Sequence, residues 1–153
     1  NMACPFAIDY CGANPIPIDI EIDTWQMDVK KIEEKINKKT KAIMVVHLFG
    51  HPVDMDPVLE IAKKYNLKVI EDSADTIGYS YETKFENSAD VSTTSFYASH
   101  VITGAGFGGM TCFKDKKSCS LTYFLIPPLL LIKSLDKSRA LLIKSNGSRL
   151  SKP

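Results

Sequence analysis

The sequence predicts an α/β fold with a mostly parallel sheet flanked by helices. Three observations carry this. Residues 42–48 and 68–71 are short, continuous apolar runs, the pattern of strands covered on both faces. Amphipathic helical patterns stand before and between them. The connections are short, so the order strand, helix, strand, helix, strand implies parallel pairing through right-handed crossovers.

Each element follows from its residues. Ile16, Ile18, Ile20 and Ile22 alternate with Pro17, Asp19 and Glu21, and period two predicts a strand with one buried face. Asp28 is placed to cap a helix with Val29, Ile32 and Ile36 as its apolar stripe. Its other face, Lys30, Lys31, Glu33, Glu34 and Lys35, is a solvated one. Ala42 opens the first buried strand, and Gly50 and Pro52 turn the chain afterwards. Asp56 followed by Pro57 reads as a helix start, with Val58, Ile61, Ala62 and Tyr65 as the stripe and Asn66 as the stop. Lys68 to Glu71 is the next strand. Residues 79–85 suggest a hairpin around Glu82 to Lys84, residues 91–97 are β-rich, and a glycine-rich stretch, 104–109, leads to a short strand over 110–113.

Composition limits the function classes. The 153 residues suffice for one modest domain, and 44% hydrophobic with 24% charged residues is ordinary for a globular protein. Net charge is +1, which directs the protein neither to nucleic acid nor to a membrane surface. The charge is uneven: residues 114–153 hold nine Lys or Arg against Asp115 and Asp136, a net +7, which leaves −6 for the rest. Residues 118–153 show no clean period, so they are expected to form an off-pattern, poorly ordered tail beyond a domain spanning 1–117. The longest apolar run, 123–132, is interrupted by Pro127 and Pro128 and is far short of the ~20 residues that span a bilayer. Cys4, Cys11, Cys112 and Cys119 contain no C-x-x-C pair. No signal peptide precedes them, and free thiols in a reducing cytoplasm are the expectation.

In an open parallel sheet, ligands gather beyond the carboxyl ends of the strands. Two segments deliver polar residues there. One is Val69-Ile70-Glu71-Asp72-Ser73-Ala74-Asp75, with Asp72 at a strand end, where it could equally cap a turn. The other is Ser95-Phe96-Tyr97-Ala98-Ser99-His100, leaving a strand for the glycine stretch; a lone loop histidine of this kind is more often a surface residue. Two other patterns are set aside. Gly104-Ala105-Gly106-Phe107-Gly108-Gly109 is followed by a strand pattern and not by the helix that a dinucleotide loop opens. His47 and His51 have a helical metal spacing, but Gly50 and Pro52 deny them a helix, so no metal site is expected.

The segments, taken in order, resemble the DegT/StrS-type sugar aminotransferases, a branch of the fold-type-I pyridoxal phosphate enzymes. The matching residues are Ile16 to Asp19, Thr40-Lys41-Ala42-Ile43, Val46-His47-Leu48-Phe49-Gly50, Val69-Ile70-Glu71-Asp72, Ser95-Phe96-Tyr97 and Gly108-Gly109-Met110. The resemblance covers roughly residues 14–117 and implies part of the family's large domain. The family's phosphate-cup glycine, ring-stacking aromatic and small C-terminal domain are not matched, so the chain reads as a fragment. By the resemblance, Asp72 pairs with the cofactor's pyridinium nitrogen, keeping the ring protonated as an electron sink. Ser95 holds the cofactor phosphate. His100 stands five residues beyond Ser95, where most members carry the cofactor-binding lysine.

An imidazole cannot take the lysine's covalent place, but it can carry protons near neutral pH. Members with histidine here resemble the 4-keto-6-deoxy-sugar 3-dehydratases, which use pyridoxamine 5'-phosphate. Asp75 agrees with that branch, because the aminotransferases usually have glutamine there. The resemblance therefore implies a nucleotide-linked 4-keto-6-deoxy sugar as substrate, with His100 as acid and base, and pyridoxamine or pyridoxal 5'-phosphate held by Asp72, Asp75 and Ser95. It implies a homodimer for the full-length enzyme. The alternatives are a nucleotide-sugar aminotransferase of the same family and an inactive truncated remnant. No lysine stands at position 100, and the nearest are Lys84 and Lys114.

Overall fold

The computed structural model describes residues 2–76, 89–103 and 108–115, together with the backbone of 140–143. The predicted hairpin over 79–85, most of the glycine stretch and the tail apart from 140–143 lie outside the described residues.

The predicted α/β architecture is present. Helix α1 (Ala3–Tyr10), α2 (Ile32–Lys35) and α3 (Met55–Tyr65) accompany strands β1 (Ala42–Val46), β2 (Lys68–Asp72), β3 (Val91–Ser95), β4 (Gly109–Phe113) and β5 (Ala140–Ile143). The sheet order is β1-β2-β3-β4-β5. β1, β2 and β3 are parallel, whereas β4 is antiparallel to β3 and β5 antiparallel to β4. Four of the five strands therefore run in one direction. The sequence reading named no element at β5.

The core lies between α3 and one face of β1 and β2. Strand residues alternate between faces, so Ile43 and Val45 point with Val69 toward Met55, Val58, Leu59 and Ala62, and all of them are buried. On the opposite face Met44 and Ile70 are only half-buried. Helix α3 begins at Asp54, not Asp56: the Asp54 side chain accepts from the Asp56 N–H at 3.3 Å. Pro57 then falls inside the first turn, where an N–H has no intrahelical partner to lose. Asn66 closes the helix in the left-handed conformation, with φ 53°.

Two sequence expectations change. The predicted helix after Asp28 is a short 3₁₀ turn, Val29–Lys31, followed by the single turn of α2; Asp28 caps it as expected, accepting from Lys30 N–H. The alternating isoleucines form no strand, and only an isolated bridge, Ile20 to Met27, is present. Pro15 and Pro17 remove two ladder donors. The chain instead closes on itself through Glu21 N–H to Gln26 O and Trp25 N–H to Glu21 O. Of the four isoleucines only Ile18 packs on the core, and Ile22 is 86% exposed.

Candidate functional site

The carboxyl ends of β2 and β3 form one edge. Asp72 ends β2 and pairs in register with Thr93, and Ser95 ends β3 two residues later. In-register partners on parallel strands share a face, and so do residues two apart. Asp72, Thr93 and Ser95 thus belong to the face opposite α3. Beyond this edge the two loops meet: His100 Nε2 lies 3.8 Å from Asp75 Oδ1. The His100 ring stands edge-on to Tyr97 at 6.1 Å, and His100 N–H donates to Tyr97 O at 3.0 Å. His100 Nδ1 is buried and has no hydrogen-bond partner among the described residues. A buried polar nitrogen left open is costly unless something else pairs with it.

The other side chains have defined partners. Asp72 Oδ1 accepts from Ala74 N–H at 3.1 Å, the turn-capping role that pattern alone allowed. Its Oδ2 accepts from the Cys4 thiol, also at 3.1 Å. Ser95 Oγ accepts from Tyr97 N–H at 3.2 Å. β4 comes so close to β3 that a Cβ on Gly109 would lie 2.8 Å from Thr94 O, so glycine is required at the middle position of the Gly108-Gly109-Met110 motif. The chain leaving β3 is further held by Phe96 N–H on Gly108 O.

Two residues of this edge escaped the sequence reading. Cys4 sits on α1, which carries no amphipathic signal, and nothing in the sequence links it to Asp72. His47 lies in the matching Val46-His47-Leu48-Phe49-Gly50 motif, and its spacing to His51 suggests only a metal pair. It is 5% exposed, its Nδ1 accepts from Val53 N–H at 3.1 Å, and its own N–H donates to Asp72 O. Burial pushes its imidazole below the ordinary histidine range, and the nearby Asp72 charge only partly opposes this. Burial and then the bond and charge of Asp72 push the Cys4 thiol up to about 12. No group of three or more His, Cys, Asp or Glu suited to a metal occurs among the described residues. Nor is any described helix long and apolar enough to cross a membrane. Cys4, Cys11 and Cys112 are free thiols, and Cys119 lies outside the described residues.

Comparison with known proteins extends this geometry. Residues 1–125 match the DegT/DnrJ/EryC1/StrS aminotransferase family. The chain is 51% identical over 111 residues to GDP-perosamine synthase of Escherichia coli O157:H7, covering 72% of this chain and 30% of that protein. It is 52% identical over 83 residues to dTDP-3-amino-3,6-dideoxy-alpha-D-galactopyranose transaminase of Aneurinibacillus thermoaerophilus, covering 54% of this chain and 23% of the relative. Among solved structures, NtdA from Bacillus subtilis with bound cofactor PMP superposes with a TM-score of 0.67 at 37% identity, covering 73% of this chain and 25% of that one. The chain thus spans less than a third of the length of each of these relatives. It belongs to the DegT/DnrJ/EryC1/StrS aminotransferase family.

Proposed function

We propose that this chain contributes the cofactor edge of a pyridoxal or pyridoxamine 5'-phosphate enzyme acting on a nucleotide-linked keto sugar. What supports it is the placement of Asp72 and Ser95 at the ends of neighbouring strands, with His100 Nε2 3.8 Å from Asp75 Oδ1 and its Nδ1 buried without a partner among the described residues. These residues fit the group. Each Asp72 oxygen takes one donor and keeps a lone pair, so Asp72 would still accept the ring N–H. Ser95 Oγ accepts from Tyr97 but keeps its own proton to give to the phosphate. Asp75 would orient His100: an Nε2 proton directed at Asp75 leaves the Nδ1 lone pair as the base. When bound, the cofactor supplies an electron sink beside the sugar carbonyl. By the resemblance the full-length enzyme would be a homodimer.

Two reactions suit these residues. The relatives' names put amino transfer first: one is a perosamine synthase and another a sugar transaminase. A specific feature favours 3-dehydration of a 4-keto-6-deoxy sugar, with His100 as acid and base. Position 100 is not lysine, and Lys41, Lys68 and Lys114 lie at the opposite, amino edge of the sheet, as the Lys68 N–H bond to Lys41 O and the Lys114 N–H bond to Asp90 O require. Lys84 lies outside the described residues.

The test is borohydride reduction with pyridoxal phosphate, followed by mass spectrometry, together with product analysis for a nucleotide-linked 4-keto-6-deoxy sugar. Turnover is read in a full-length relative carrying this segment. For 3-dehydration the expected results are no stoichiometric cofactor adduct on the unaltered sequence, a trappable adduct in His100→Lys, and a C3-deoxygenated product. His100→Asn should lower the rate by about 10²–10⁴-fold through loss of the proton carrier. A stoichiometric adduct on a lysine of the unaltered sequence, with an aminated product, decides for amino transfer.

A further inference from the structure

We propose that Cys4 is a positioning residue: its thiol proton holds the Asp72 carboxylate in the orientation the edge requires. The inference rests on the placement of Asp72 in the cofactor edge argued above. Cys4 Sγ donates to Asp72 Oδ2 at 3.1 Å across 68 residues of sequence. Oδ1 of the same carboxylate accepts from Ala74 N–H, on the loop after β2. Two donors from separate elements, one on each oxygen, fix rotation of the carboxylate about its last bond. One donor alone would leave that torsion broad, as terminal sp³–sp² torsions are.

The surroundings give the contact its meaning. Helix α1 has no fully buried residue: Cys4, Pro5 and Ile8 are half-buried, whereas Phe6 and Tyr10 are exposed. The Cys4–Asp72 bond is a polar tie between this half-buried face and the end of β2. From the other side, the residue after β1, His47, approaches Asp72, its N–H donating to Asp72 O. The His47 Nδ1 accepts from Val53, so this imidazole is the neutral Nε2–H form and adds no competing positive charge. With the thiol raised to about 12, sulfur keeps its proton at neutral pH and remains a donor.

The experiment reads the bond directly in this chain. Iodoacetamide labelling at pH 8.5, followed by peptide mass spectrometry, compares Cys4 with exposed Cys11. Thiolate is the reactive form, so Cys4 should label more slowly than Cys11. Asp72→Asn removes the carboxylate's charge and its bond but not the burial, so it should speed Cys4 measurably and leave Cys11 unchanged. Carbon-13 NMR of the Asp72 carboxyl gives a second reading that does not depend on Asp72→Asn folding. Its resonance should move in Cys4→Ala and return in Cys4→Ser, which restores a donor. Unchanged labelling of Cys4 in Asp72→Asn, or an Asp72 resonance indifferent to Cys4→Ala, overturns the proposal. Pyridoxamine phosphate titration provides the separating arm. Affinity should fall several-fold in Cys4→Ala and recover in Cys4→Ser. If the unaltered sequence binds none while labelling and NMR behave as expected, the cofactor reading fails and the hold of Cys4 on Asp72 stands.

Discussion

His47 shows how one buried side chain ties a strand end to the loop that follows. Its Nδ1 takes the Val53 N–H, which would otherwise be a buried donor with no acceptor. Gln26 does similar work next door: its amide oxygen accepts from Leu48 N–H and its amide nitrogen donates to Leu48 O. The backbone at 47–48 is thereby held from two sides. An unsatisfied buried N–H costs about 1–3 kcal/mol. His47→Leu should therefore lose about that much in urea denaturation. His47→Asn places a carbonyl oxygen near the former Nδ1 and should lose less. Equal losses in the two variants would mean that the Val53 bond contributes nothing.

At the scale of elements, the same physics explains what was legible in the sequence. β1, β2 and α3 were readable because burial imposes a period on them: apolar runs for covered strands, a stripe for the covered helix, and Asn66 at its left-handed end. The start of α3 was misread because two aspartates lie two residues apart, and backbone geometry alone selects Asp54. The isoleucine alternation misled because a period-two pattern needs a neighbouring strand to be realised, and Pro15 and Pro17 leave none. Helix α1 is illegible because none of its residues is fully buried, so it carries no strong apolar stripe. Of the candidate site, Asp72, Ser95 and His100 were found through strand ends and resemblance, but the Cys4–Asp72 contact joins residues 68 apart, and local pattern does not encode it. The α3 cap gives an expected outcome: Asp54→Ala should cost about 1 kcal/mol. Met55→Ala, emptying a site 1% exposed, should cost about 2–5 kcal/mol. Chemical denaturation measures both, and a larger loss at Asp54 than at Met55 would contradict the placement of the core.

Across the whole molecule, stability should be bounded in pH by groups that burial and pairing treat differently. His47 has its folded pKa lowered below the ordinary 6.5. Below pH 6.5 the unfolded chain therefore binds a proton that the native chain refuses, and stability falls as pH drops through that range. Asp90 extends the acid limb: burial opposes its charge, but bonds from Lys68 and Val69 N–H outweigh this and hold its pKa below 3.8. Its contribution is present above 3.8 and is lost as pH falls toward the folded value. Cys4 acts at the other end. Its pKa is raised from 9.0 to about 12, so above pH 9 the unfolded thiol ionises while the native one does not, and stability falls as pH rises. Lys68, raised by its bond to Asp90, adds to that decline above 10.5. The exposed pairs Lys31–Asp19 and Lys64–Glu33 should matter little, because solvent screens them. Urea midpoints across pH should form a plateau between 6.5 and 9 with a decline on each side. His47→Asn should flatten the acid decline just below 6.5, and Cys4→Ser the alkaline decline between 9 and 12. If both variants keep the slopes of the unaltered chain, the groups that bound its stability lie elsewhere.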